Sequence, residues 1–94
     1  MAFTDAQKTK RFELENKQDE ALTRAERVLL AALNDLKEAD ESGDNIEACE
    51  HAVELAEKLV KKEEKGILEE DLDTAIQEIP AGGDDLRRVQ ANQG

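Results

Sequence analysis

Apolar residues recur through the middle of the chain at three- and four-residue spacing. Leu22, Ala25, Leu29, Ala32, Leu33 and Leu36 fall on one helical stripe spanning the block 23–40, with Leu22, Leu29 and Leu36 a heptad apart. The block 45–65 repeats the pattern with Cys49, Ala52, Val53, Ala56, Leu59 and Val60. Between them lies Ser42-Gly43-Asp44. Gly43 suits the left-handed position that ends a helix, and Asp44 or Asn45 suits the cap of the next. Lys61, Lys62 and Lys65 favour the negative end of the second helix before Gly66 stops it. The pattern predicts an antiparallel helical hairpin as the centre of an all-α fold.

Upstream, Thr4-Asp5-Ala6-Gln7 has the form of a capping box, so a helix is expected to begin near Asp5. No Gly or Pro interrupts the chain from there to Ser42. One helix over 5–42, about 55 Å long at 1.5 Å per residue, is therefore permitted, with a break near Glu20 as the alternative. Residues 5–20 are mostly polar, with Phe12 and Leu14 their only large apolar side chains. Downstream, Leu68, Leu72, Ala75, Ile76 and Ile79 predict a short amphipathic helix stopped by Pro80. Ala81-Gly82-Gly83 reads as a flexible joint, and the segment after it has one helical turn's worth of pattern and little to bury. The expected organisation is a polar helical arm (1–20), a hairpin with a short third helix (21–79) and a flexible tail (80–94).

Each stripe is wider than a two-helix hairpin needs. Leu30 lies about 100° or more from the centre of the first, and Leu55 sits on the matching flank of the second. Either the third helix or a second copy of the chain must cover them, which points to a homo-oligomeric, coiled-coil-like bundle. Composition agrees: with no Trp or Tyr, an Ala-rich core of three short helices in 94 residues is thin.

The net charge of −11 and a charged fraction of 39% argue against nonspecific nucleic-acid binding and against an anionic membrane surface. No apolar run approaches the roughly 20 residues of a membrane span, no secretory signal is visible at the start, and one cysteine fits a reducing compartment, so a cytoplasmic protein is expected.

No constellation carries catalysis. His51 is the only histidine, which leaves too few ligands for zinc and no Glu-x-x-His pair on two helices for a di-metal site. The run from Asp40 to Asn45 resembles a calcium loop but lacks Gly at its sixth position and reaches His51 where a bidentate Glu belongs. Cys49 has no base beside it on its apolar face and reads as a small core residue. Neither a cofactor nor a metal is expected. The reading is a non-enzymatic protein-interaction module, self-associating and binding a protein of unknown identity through a helical face. Phe12, Leu30 and Leu55 are the expected contacts, because the hairpin alone leaves them uncovered. The alternative is an acidic inhibitor that imitates a nucleic-acid backbone. Glu47, Glu50, Glu54 and Glu57 repeat along one helix face at rises of about 4.5–6 Å, close to phosphate spacing. A third reading places a small phosphorylated ligand against Lys10, Arg24 and Arg27 at an oligomer interface.

Overall fold

The computed structural model describes residues 3–91, which form five α-helices and, among the described residues, no strand. In chain order these are α1 (Asp5–Asn16), a 3-10 turn (Asp19–Ala21), α2 (Arg24–Ser42), α3 (Ile46–Glu64), α4 (Glu69–Glu78) and α5 (Asp84–Ala91).

The hairpin of α2 and α3 is the most extensive pairing, as the twin stripes predict. It turns at Gly43, whose φ of +76° closes α2 by donating its N–H to the carbonyl of Ala39. Asn45 occupies the cap position of α3 at φ +61°, but neither its side chain nor that of Asp44 makes the expected capping bond. Gly66, at φ +94°, follows the end of α3 as expected.

Helix 1 is not continuous. The chain leaves α1 at Lys17 in an extended conformation and re-enters α2 at Thr23. The reason is a second capping box: Thr23 Oγ1 accepts from Glu26 N, while Thr23 N donates to Glu26 Oε1. Glu63 of α3 accepts from Ala25 N as well, so one orphan amide at the start of α2 is satisfied from outside its own helix. With the break, the longest dimension of the molecule is 36 Å, not about 55 Å, and its radius of gyration of 12.4 Å is close to that of a compact chain of this length.

The break lets α1 fold back onto α2. Phe3 and Leu14 anchor it in the core, and the Arg11 guanidinium donates to Asn34. On the far side, α4 buries Leu72 and Ile76 against α3, with Arg24 of α2 paired to Asp73. α5 lies along α2 with Leu86 wholly buried. All four other helices thus touch α2, and its buried residues include Val28, Ala31, Asp35 and Ala39 besides the predicted stripe. Its middle, from Val28 to Leu33, is apolar on every side, and such a segment belongs at the centre of a bundle, which is the physical reason its stripe exceeds one partner's width. Leu30 borders the groove between α2 and α5, and Leu55 that between α3 and α4; both are half-buried and packed against the core. Of the two covers expected, the third helix or a second copy, the chain supplies α4 beside Leu55, and it adds α5 beside Leu30. Residues 84–91, expected as part of a loose tail, are a docked helix; the rest of that tail, 92–94, lies outside the described residues.

Candidate functional site

Three surfaces bear on function. The first is the outward side of α1. Gln7, Arg11 and Leu14 face the bundle, and Phe12, turned about 100° from Arg11, is 67% exposed. Among the described residues only Leu68, at the approach to α4, is a comparably exposed large apolar side chain.

The second is the acidic face of α3. Glu47, Glu50, Glu54 and Glu57 are all exposed and, with Gln7 and His51, line one open depression of about 430 Å³. Lys58 pairs with Glu54 at 3.6 Å; among the described residues Glu47, Glu50 and Glu57 make no ion pair. Phe12 and this face do not form one surface: Ala6, Gln7 and Lys10 turn toward α3, whereas Phe12 lies round the other side of α1. The contact residue of the first reading and the acidic face of the alternative thus lie on different surfaces.

The third surface was not singled out in the sequence. Asp35, 3% exposed, sits mid-helix in α2 and accepts from the backbone amides of Asp85 and Leu86, each at 3.1 Å. It supplies from another helix the cap that α5 lacks in its own sequence. Burial pushes its carboxyl above the ordinary value, with the charges of Asp85 and Glu38 adding; the two amide bonds oppose this and do not cancel it. The chain reaches this cap across Gly82 and Gly83. A Cβ on Gly83 would come within 2.4 Å of the Asp35 carboxyl carbon, and one on Gly82 within 2.7 Å of Cys49 Sγ and 2.9 Å of Cys49 N. The glycines read as a flexible joint are instead a close backbone crossing over α2 and α3. The signal for it in the sequence is an Asp at an otherwise apolar helix position, which requires a partner when buried.

Cys49 is sealed beneath that crossing. Burial raises its thiol above the ordinary value, with Asp35 and Glu38 contributing, so the nucleophilic thiolate is disfavoured. His51 is exposed on α3. Among the described residues, no three His, Cys, Asp or Glu side chains are grouped to hold a metal ion, and no helix is long and apolar enough to cross a membrane. Arg24 pairs with Asp73, Arg27 borders the α2–α5 groove and Lys10 borders the α1–α3 groove.

Compared with protein-family models, curated proteins and solved structures, the chain gives no match. Functional argument therefore rests on its own surfaces.

Proposed function

We propose that this chain is a non-enzymatic protein-interaction module that binds a protein partner through the outward face of α1, centred on Phe12. One observation carries the reading: Phe12 is 67% exposed on a short helix whose other large apolar residue, Leu14, is buried. Phe3, Leu14 and the Arg11–Asn34 hydrogen bond hold α1 down, Phe12 is left largely outside that packing, and aromatic side chains concentrate at interface centres. Burying it against a partner would contribute about 1.5–3 kcal/mol, roughly a tenfold to hundredfold change in affinity. Self-association belongs to the same proposal, with the α1 face of a second copy as one such partner. Leu30 and Leu55 serve mainly the core in this reading.

The test combines light scattering with binding measurements on wild type and Phe12→Ala. A partner complex or self-assembly that weakens at least tenfold in the variant, with an unchanged melting temperature, supports the proposal. Undiminished association assigns the contact elsewhere.

A second reading, the acidic inhibitor, is favoured by the unbroken exposure of Glu47, Glu50, Glu54 and Glu57 along α3. A variant with Glu50, Glu54 and Glu57 replaced by Lys separates the two. It abolishes a salt-sensitive complex with a basic protein under mimicry, and leaves Phe12-dependent binding intact otherwise.

A further inference from the structure

α5 is a short helix lying along α2. Its eight residues contain one wholly buried side chain, Leu86, and its polar ties are gathered at its two ends. At the start, Asp35 accepts from Asp85 and Leu86. At the finish, the Gln90 amide donates to the carbonyls of Ile76 at 2.9 Å and Ile79 at 2.6 Å, and Gln77 donates to the Gln90 carbonyl. Of the side chains between, Arg87 and Arg88 are exposed and pair with Asp84 and Asp85 of their own helix, while Val89 packs, partly buried, against the core.

The starting end is also crowded with like charge. Asp35 and Glu38 of α2, Asp44 of the α2–α3 turn and Asp84 of α5 border one pocket, with Arg87 its only cation; Asp85 adds its charge to Asp35. α2, α3 and α4 pair with one another directly, through contacts that do not involve α5. The strip on which α5 rests, Ala31, Asp35 and Ala39 at four-residue intervals, is small and smooth.

We propose that α5 is a strap, opening and closing as one unit on α2 while α1 to α4 remain folded, and that its opening uncovers Cys49. The four-residue link 80–83 is long enough, at about 3.3 Å per residue, to let the helix clear the α2 surface. An eight-residue helix with one wholly buried side chain is a small local unit, and such units open at lower free energy than the whole domain.

Cys49 is the only cysteine, so the full chain reports on its own strap. The experiment follows its reaction with 5,5′-dithiobis(2-nitrobenzoic acid) at fixed pH and at increasing urea, below the unfolding transition. Sub-global opening gives a labelling rate well above that set by global unfolding, with a much shallower urea dependence. Gln90→Ala is the decisive variant because it acts from the opposite end of α5. Losing two neutral hydrogen bonds there accelerates labelling severalfold to about thirtyfold if the helix lifts as a unit. Asp35→Asn is expected to accelerate it about tenfold or more, although it also removes a charge that disfavours the thiolate. Labelling in the wild type that tracks global unfolding in both rate and urea slope overturns the proposal. So does acceleration by Asp35→Asn with none by Gln90→Ala, which would mean that only the first turn frays.

Discussion

Replacing a loop glycine by alanine usually stabilises a protein by about 0.4–1 kcal/mol, because the unfolded chain loses freedom. For Gly83 the structure predicts the opposite sign. An alanine Cβ there would stand 2.4, 2.5 and 2.8 Å from the carbon and two oxygens of the Asp35 carboxyl, well inside van der Waals contact. Relief requires the carboxyl to move by about an ångström, and both of its oxygens already hold amides at 3.1 Å. Hydrogen bonds to charged groups are worth about 1.5–3 kcal/mol each, so loss of one bond and weakening of the other costs about 3 kcal/mol. After the entropic gain, a net loss of about 2–3 kcal/mol remains, or roughly 10–20 °C in melting temperature for a domain of this size. Thermal and urea unfolding of wild type, Gly83→Ala, Asp35→Ala and the double variant form a cycle. Once Asp35 is alanine the clash partner is gone, so Gly83→Ala should then be near neutral. A neutral or stabilising Gly83→Ala in the wild-type background, or additive losses in the cycle, would refute the close crossing and restore the reading of residues 81–83 as a slack joint.

Other outcomes follow from the same contacts. Leu86→Ala should cost about 2–4 kcal/mol in urea unfolding, as for a wholly buried leucine, whereas a loose tail would give no loss. Thr23→Ala should cost about 1 kcal/mol by removing the cap of α2, with no gain in helix by circular dichroism; a gain would mean that α1 and α2 had merged. For pH, Glu26 and Asp35 act in opposite directions. Desolvation alone would raise Glu26, but the hydrogen bonds from Lys17 and Thr23 and the charge of Lys17 outweigh it and hold its carboxyl low. Its contribution is present above the unfolded-state value and lost as pH falls through the folded one; Asp35, held high, contributes stability below the unfolded-state value that is lost as pH rises through the folded one. In unfolding measured across a pH series, Glu26→Gln should therefore remove stability at neutral pH more than in acid. Asp35→Asn should flatten the decline on the way up from acid.

The helical hairpin was legible in the sequence because its causes are local. Three- and four-residue apolar spacing, a left-handed glycine at position 43 and lysines at the end of α3 act within one or two turns. The all-α class and the short helix near 68–79 were read from the same signals. The break between α1 and α2 was also locally encoded, by Thr23 and Glu26, but without Gly or Pro to announce it a long helix satisfied the pattern equally well. What covers Leu30 and Leu55 was not local at all. Periodicity measures the width of a stripe and not the identity of its cover, so a second copy and the third helix satisfied it equally, and α5, read as tail, was not a candidate until the chain was folded. Phe12 and the α3 glutamates were nameable by residue type, yet only tertiary structure shows that they face different ways. Asp35 and Gly83 lie 48 positions apart, and neither has a local reason to be what it is. The carboxylate is tolerable in the core only because the amides of α5 reach it, and the glycine is required only because the carboxylate is there.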